Sequence, residues 1–172
     1  MAAQDQMKDF HLPRYREIPD VGLYLEQCIE FINSCLAPLG ADISITPSML
    51  SNYVKRGYIE RPVRKRYHAD QISYLMFITL AKRVLSMENI VGMFKLQQST
   101  YGIEIAHDYF CNEFESHLKY LFKTGAQPGT IEEDATFAKR TLRNVIIALT
   151  HIIYLDSCFT SDEFLEEIGQ SQ

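Results

Sequence analysis

The sequence lacks a long uncharged apolar run. The longest such stretch, residues 144–155, has twelve uncharged residues and includes Thr150 and His151. A membrane-spanning helix needs about 20 apolar residues, so this stretch predicts a buried helix and no membrane contact. The amino terminus, MAAQDQMKDF, also lacks the basic start and apolar run of a secretory signal. We therefore expect a cytoplasmic protein.

Paired cysteines are absent as well. The four cysteines, Cys28, Cys35, Cys111 and Cys158, form no CxxC motif, so neither a zinc site nor a disulfide framework is expected. Cys28 and Cys35 are seven residues apart, which places both on one face of a helix. A free thiol in that position packs as a small apolar group. The sequence therefore predicts no metal and no cofactor.

Motifs that carry catalysis are missing too, because no GxSxG, Gly-rich phosphate loop or HExxH occurs. The nearest candidate is one ExxH, formed by Glu104 and His107. Glu113 and His117 follow on the same predicted helix. A di-iron bundle needs two ExxH motifs on separate helices and two more carboxylates, whereas the later helix supplies only His151. We predict no catalytic residue and no enzyme.

Positive charge is concentrated in the middle of an acidic chain. The 172 residues have a formal net charge of −5, yet residues 55–95 hold nine Lys or Arg against three acids. Residues 1–54 hold three Lys or Arg against seven acids, and residues 96–172 hold five Lys or Arg against twelve acids. This distribution indicates that one surface meets a polyanion, since the acidic remainder would repel phosphate. A solvated charged loop would explain the same pattern.

The basic segment begins with a short predicted helix. Thr46 is a candidate N-cap, Pro47 suits the first helical position, and Gly57 is a stop signal. Helical spacing places small or polar side chains on the outer side: Ser48, Ser51, Asn52 and Lys55. Residues 58–68 then predict a β-hairpin with a basic tip around Pro62.

Further helices are predicted from apolar side chains at steps of three and four residues. They span about 21–37, 69–85, 86–98, 100–123 and 130–158, and a short acidic tail follows. Asp20, Ser86 and Thr130 are the candidate N-caps. Leu85 and Ile90 suit a hydrophobic staple around Ser86. The chain is therefore predicted to be mostly α-helical with one hairpin.

The predicted order is helix, short helix, hairpin and helices, and the stretch over residues 45–94 resembles the winged helix-turn-helix of MerR-type transcription regulators. In that family a short helix ends in a Tyr followed by a Gly and an apolar pair, and a basic wing closes on an aromatic residue. The matching residues here are Tyr53, Gly57, Tyr58, Ile59, 64–66, Tyr67, Ile72 and Leu75. Most of the chain also resembles a bacterial family described only as a domain of unknown function, in which ITPSMLSNYVKRGYIERP leads into a helical C-terminal half.

The MerR-type resemblance implies a winged helix-turn-helix with a small β-hairpin wing, followed by a C-terminal helical bundle. It divides the chain into an N-terminal tail (1–19), a winged helix-turn-helix region (20–98) and a C-terminal helical region for dimerisation or sensing (99–172). The implied function is that of a transcription regulator that binds double-stranded DNA in a sequence-specific way. One wing and one short helix cover half a site, so a homodimer is expected.

The resemblance assigns DNA binding to the outer side of the short helix and to the cations of the basic segment. Asn52 is the best reader of adenine, and Lys55 is a contact for guanine or phosphate. The cations would mainly set affinity through phosphates. Tyr53 and Tyr67 would support the wing. The predicted DNA-binding residues are Ser48, Ser51, Asn52, Lys55, Arg56, Arg61, Arg64, Lys65 and Arg66.

Plainer roles fit some of the same residues. Asn52 would equally serve to hydrogen-bond a neighbouring turn, and residues 64–66 would protect an edge hairpin from pairing with another chain. A winged module would also act as a non-enzymatic protein-interaction module, since fold does not determine function. A small-molecule sensor is the remaining alternative. It requires a closed apolar pocket among the C-terminal helices, for an effector that the sequence does not identify.

Overall fold

Helices form most of the chain in the computed structural model, which describes residues 2–169, with side chains from residue 5 onward. Two 3₁₀ turns, Tyr15–Glu17 and Ala37–Leu39, lie in the connections. The prediction of a mostly α-helical protein is confirmed. The helices and strands are α1 (Ala2–Lys8), β1 (Leu23–Tyr24), α2 (Leu25–Leu36), α3 (Pro47–Lys55), β2 (Arg66–Tyr67), α4 (Ala69–Ala81), α5 (Met87–Thr100), α6 (Ile103–Leu121), α7 (Phe137–Phe159) and α8 (Asp162–Glu167).

The small sheet pairs segments that are distant in sequence. β1 and β2 are antiparallel, with Leu23 opposite Tyr67 and Tyr24 opposite Arg66. Within the predicted hairpin of residues 58–68, only an isolated bridge between Val63 and Arg66 is formed. The partner of the returning strand therefore comes from residues 23–24 and not from the residues around Ile59. The tip lies at residues 64–65, two positions beyond the predicted Pro62.

Helix α2 begins later than predicted. The expected start was Val21, capped by Asp20, but the helix starts at Leu25. Gly22 adopts φ +78° and breaks the helical path, and the two residues after it pair with β2. A Cβ at Gly22 would lie 2.8 Å from Cε1 of His68, so this position requires glycine. Val21 is 67% exposed and does not belong to the apolar face of α2.

The connection between α2 and α3 is held by a side chain of α2. Asn33 donates from Nδ2 to the carbonyl of Ile45 at 2.9 Å and accepts from the Ile45 amide at 2.8 Å. The predicted cap of α3 is confirmed, because Thr46 Oγ1 accepts from the Met49 amide at 3.2 Å. The helix stops before Gly57, whose φ of +74° suits the predicted stop.

The later helices agree with the prediction except that α4 ends at Ala81, before the predicted Leu85, and that α7 starts later. Ser86 Oγ accepts from the Asn89 amide at 3.2 Å, and Ile90 is fully buried. The predicted cap Thr130 is wrong, because α7 begins at Phe137 behind Thr136, whose Oγ1 accepts from the Lys139 amide at 3.3 Å. The three acids at 132–134 lie in a turn before this cap. The acidic tail contains a short helix, α8, that was not predicted.

One apolar core joins the two regions that the sequence divides at residues 98 and 99. Fully buried side chains from four helices, including Ile32 of α2, Leu75 of α4, Phe114 of α6 and Ile146 of α7, belong to one cluster. Cys28 and Cys111 are buried within it, and burial raises the pKa of both thiols to about 12.

The segment between α1 and β1 packs along α6. The Leu12 amide donates to Glu115 Oε1 at 2.7 Å, and the Tyr15 amide donates to Asp108 Oδ1 at 2.7 Å. Arg14 pairs with Glu115 at 2.7 Å. These contacts join the N-terminal segment to the C-terminal helices.

Helix α7 is long and apolar enough to meet the length and composition of a membrane span, with mean hydropathy 1.3 over its most apolar 18 residues. Core helices of water-soluble proteins meet the same criteria. One side of α7 packs in the core through Ile146, Leu149 and Ile153, whereas only 28% of that window is buried. The other side therefore exposes apolar side chains, among them Ile147, Leu155 and Phe159, together with polar ones such as Asn144 and His151.

Candidate nucleic-acid interface

Helix α3 separates its side chains into an inner and an outer face. Leu50 and Tyr53 are buried. The outer face, defined as Ser48, Ser51, Asn52 and Lys55, is exposed throughout. Asn52 Oδ1 accepts a hydrogen bond from Arg56 Nε at 3.3 Å, which leaves the amide nitrogen of Asn52 available to a ligand.

A tight turn presents the next group of cations. We call residues 61–66 the basic turn. The Val63 amide donates to the Arg66 carbonyl at 3.0 Å, and the Arg66 amide donates to the Val63 carbonyl at 2.9 Å. Arg64 and Lys65 lie between them at φ +50° and +65°, so this is a type I′ turn, which favours Asn-Gly. Two bulky cationic residues therefore occupy positions that disfavour side chains.

Arg66 differs from the other predicted DNA-binding residues because it is half-buried and packs within the protein. Its guanidinium carbon lies 4.9 Å from the ring centroid of Tyr24. Its nitrogens donate to the Val21 carbonyl and to the Tyr24 hydroxyl, both at 3.2 Å. Arg66 thus fastens the basic turn to β1.

Gln71 also holds the basic turn, and sequence reasoning did not identify it. Its Nε2 donates to the carbonyls of Glu60 and Arg61 at 3.1 and 3.0 Å. Its Oε1 accepts from the His68 amide at 2.7 Å, as the third residue of a capping box does. The spacing of His68 and Gln71 before an apolar helix was the available signal, although His is an unusual cap.

Tyr53 and Tyr67, expected to support the wing, are 7% and 6% exposed. Burial raises the pKa of both phenols. The Tyr53 carbonyl accepts from the Tyr58 amide at 2.9 Å, and the two rings lie 6.5 Å apart. Tyr53 therefore links the end of α3 to the chain that leads into the basic turn.

The exposed cations of this region are not neutralised by carboxylates. Within residues 5–169, no ion pair involves Lys55, Arg56, Arg61, Arg64 or Lys65, and all five are exposed. Arginines elsewhere are often paired, as in Arg14 with Glu115, Arg83 with Asp42 and Asp156, and Arg143 with Glu113. The unpaired positive charge of the middle of the chain is thus available to an anionic partner.

Two neighbouring residues of the turn after α4 position the loop before α3. Lys82 Nζ donates to the Ser44 carbonyl at 3.1 Å, and burial lowers its pKa. Arg83 pairs with Asp42 of the same loop and with Asp156 of α7, and this pairing lowers the pKa of Asp42. The sequence offered no signal for these contacts, because the partners are distant along the chain.

His107 of the ExxH and the following carboxylate Glu113 are engaged in internal contacts. His107 Nε2 donates to the Pro13 carbonyl at 2.9 Å, and burial lowers the pKa of this imidazole. Glu113 pairs with Arg143 at 2.9 Å. In the part of the chain with described side chains, no three His, Cys, Asp or Glu residues converge as metal ligands.

Comparison with known proteins identifies the family. The model of the domain of unknown function DUF1836 matches residues 13–114, which is more than half of the chain and includes α3 and the basic turn. The chain belongs to this family. No match was found among curated proteins or among solved structures. The expected relationship to a family without a known function is confirmed, whereas the MerR-type resemblance stays a prediction.

Proposed function

We propose that the protein is a sequence-specific transcription regulator that binds double-stranded DNA through a MerR-like winged helix-turn-helix. In this proposal α3 is the recognition helix and the basic turn is the tip of the wing. Support comes from the order strand, helix, helix, turn, strand and helix, in which β1 and β2 hold the turn beside α2.

The strained conformation of the basic turn is the observation that carries the proposal. A two-residue turn with both φ values positive is easiest for Asn and Gly, yet Arg64 and Lys65 occupy it here. Strain of this kind is often associated with function. The exposed guanidinium of Arg64 and the exposed ammonium group of Lys65 lie at the tip of the turn, where they suit the phosphates beside a DNA groove. Protection of an edge hairpin would not require strained cations, because Lys or Arg at ordinary strand positions would suffice.

The outer face of α3 and the exposed cations would have different roles in recognition. The outer face of α3 would enter the major groove, where the Asn52 amide suits the edge of adenine and Lys55 suits guanine or phosphate. Ser48 and Ser51 would add short contacts. Arg56, Arg61, Arg64 and Lys65 would neutralise phosphates and set the affinity. Arg66 would act as a positioning residue, since its guanidinium is already bonded to β1.

We also propose a homodimer, because one recognition helix and one wing cover only half of a site. The exposed side of α7 is the candidate dimer face. Ile147, Leu155 and Phe159 are 38%, 48% and 58% exposed, and Ala148 and His151 lie exposed between them. The absence of Asp, Glu, Lys and Arg from residues 144–155 suits contact with the same segment of a second copy.

A gel shift with sheared genomic DNA tests the proposal. We expect the protein to retain fragments at low salt, and we expect Arg64→Ala/Lys65→Ala to lose most of this retention. Lys123→Ala is the matched control, because Lys123 is an exposed residue with φ +59° far from the basic turn in sequence. Equal retention by the wild type and the double variant would reject the role of Arg64 and Lys65 in DNA binding. No retention by the wild type would reject DNA binding and favour a protein-interaction module.

A small-molecule sensor is the second candidate, and one observation favours it. A cavity of about 220 Å³ lies between α4, α5, α6 and α7. Its lining is predominantly apolar, as ligand sites are. A sensor and a DNA-binding regulator are compatible, because the two surfaces use different residues.

A further inference from the structure

The cavity between α4, α5, α6 and α7 is built mainly from aromatic and aliphatic side chains. It measures about 220 Å³. The Tyr74 and Phe94 rings lie 4.6 Å apart, and the Phe77 and Phe110 rings lie 5.2 Å apart, both edge to face. Aromatic walls of this kind pack well against another flat ring.

One polar group in this wall is unsatisfied. Ser73 lines the cavity and is 2% exposed, and its Oγ has no hydrogen-bond partner within the residues whose side chains are described. Other buried hydroxyls in helices bond to the preceding turn. Thr79 donates to the Leu75 carbonyl at 2.7 Å, and Thr150 donates to the Ile146 carbonyl at 2.8 Å. A buried hydroxyl without a partner calls for an explanation.

Three other polar side chains around the cavity are already engaged. The Tyr74 hydroxyl donates to Gln97 Oε1 at 2.8 Å, and Gln97 Nε2 donates to the Tyr101 carbonyl at 2.6 Å. His107 donates to the Pro13 carbonyl. Among the buried polar groups of the lining, Ser73 Oγ is therefore the one without a partner.

Charge is nearly absent from the lining. Lys139 is the charged residue there, and its ammonium lies 5.5 Å from the ring centroid of Tyr109, which is a cation–π contact. No carboxylate lines the cavity among the described residues. Because charge is costly to bury without a partner, the lining favours an uncharged ligand.

We propose that this cavity binds a small uncharged aromatic molecule that carries one hydrogen-bonding group, with Ser73 as the partner of that group. A cavity of about 150 Å³ accommodates benzene, so 220 Å³ accommodates about nine non-hydrogen atoms. Access is available at Ile105, which lines the cavity and is 65% exposed. This inference rests on the proposed sensor function, whose ligand class it names, and it does not depend on the proposed DNA-binding function.

Phenol and toluene are the matched probes, since they share a shape and differ in the hydroxyl group. The readout is the ¹³C-methyl NMR signal of Met93, which lines the cavity. Met7, in the N-terminal segment, and Met49, on α3, are internal controls. We expect phenol to shift the Met93 signal saturably and more tightly than toluene, while the signals of Met7 and Met49 stay in place.

Variants test the two parts of the site separately. Ser73→Ala should lower the affinity for phenol by about 2-fold to 10-fold, the effect of one hydrogen bond, and should leave the affinity for toluene unchanged. Ser34→Ala, at an exposed position of α2, should change neither. Ala106→Phe should abolish the response to both probes by filling the cavity. Ala138→Phe fills the same cavity from α7 and replaces Ala106→Phe if circular dichroism shows that the latter is unfolded.

Three outcomes would overturn the proposal. No shift of the Met93 signal with either probe would remove the site. Equal affinity for phenol and toluene would reject the role of Ser73. Responses that persist in a folded cavity-filling variant would show that the probes bind elsewhere.

Discussion

Arg64 and Lys65 hold left-handed backbone conformations that are unfavourable for residues with a Cβ. Arg64→Asn/Lys65→Gly introduces the residue pair that a type I′ turn favours. We predict that this double variant is more stable than the wild type by about 2 kcal/mol, because the strain at each of the two positions is about 1 kcal/mol. Urea unfolding measures the change.

The same variant should bind DNA more weakly, because it loses two cations. Lys123→Gly is the control, since it relieves a positive φ at the end of α6 and removes one cation outside the basic turn. The control should gain stability without losing affinity for DNA. A double variant that is less stable than the wild type, or that binds DNA equally well, would contradict the functional interpretation of the strain.

The buried imidazole of His107 predicts a pH dependence of stability. Burial lowers the pKa of His107 in the folded protein, whereas the unfolded chain takes up this proton near pH 6.5. The stability that the protein gains from a neutral, buried His107 is therefore fully present above about pH 6.5. It is lost as the pH falls through the lower pKa of His107 in the folded protein. Burial also lowers the pKa of His117, which adds to the same trend.

His107→Gln isolates this effect, because glutamine can still donate to the Pro13 carbonyl but does not titrate. We expect the free energy of unfolding of the wild type to fall between about pH 7 and pH 5, and that of the variant to fall less steeply. Urea unfolding at several pH values provides the comparison. Parallel pH profiles would show that His107 is not the titrating group.

At the level of the secondary-structure elements, Gln71 connects α4 to the basic turn. Gln71→Ala removes three hydrogen bonds, and we predict a loss of about 2 kcal/mol of stability together with weaker DNA binding. Gln27→Ala is the matched control. Gln27 occupies the same capping position in α2, is exposed, and makes one such bond, from the Tyr24 amide at 3.0 Å.

The control should lose less than about 1 kcal/mol and should retain DNA affinity. Urea unfolding and fluorescence anisotropy with a labelled duplex give the two readouts. If both variants lost stability and affinity to the same extent, the basic turn would not depend on Gln71 in particular.

Elements whose ends are determined by local signals were predicted correctly from the sequence. Thr46 with Pro47 and Ser86 are caps that need only the next turn of backbone, and Gly57 accepts the positive φ that ends α3. The start of α7 was missed because two threonines, Thr130 and Thr136, precede the apolar run, and the choice between them depends on tertiary packing.

The β pairing and the anchors of the candidate site could not be predicted in this way. β1 pairs with a strand more than 40 residues away, so no local pattern marks residues 23–24 as a strand. The interaction of Arg66 with Tyr24 follows from that pairing. Exposure of the outer face of α3 was predictable from helical spacing, whereas the internal role of Arg66 was not.

On the scale of the whole molecule, the region that carries α3 is packed firmly against the C-terminal helices. Arg83 joins the loop before α3 to α7 by pairing with Asp42 and Asp156. The core cluster includes side chains from both halves of the chain. Arg83 therefore places the loop before α3 in direct contact with α7, and the aromatic cavity lies between α4, α5, α6 and α7.

The salt dependence of DNA binding tests the central claim most directly. Fluorescence anisotropy with a labelled duplex would give the affinity of the wild type, Arg64→Ala/Lys65→Ala and Lys123→Ala over a series of salt concentrations. We predict that the slope of log affinity against log salt becomes shallower by about 2 in the double variant, because each of the two missing cations neutralises about one phosphate in the wild type. The slope should stay unchanged in Lys123→Ala. The same slope in all three proteins, or no binding by the wild type at low salt, would contradict the account.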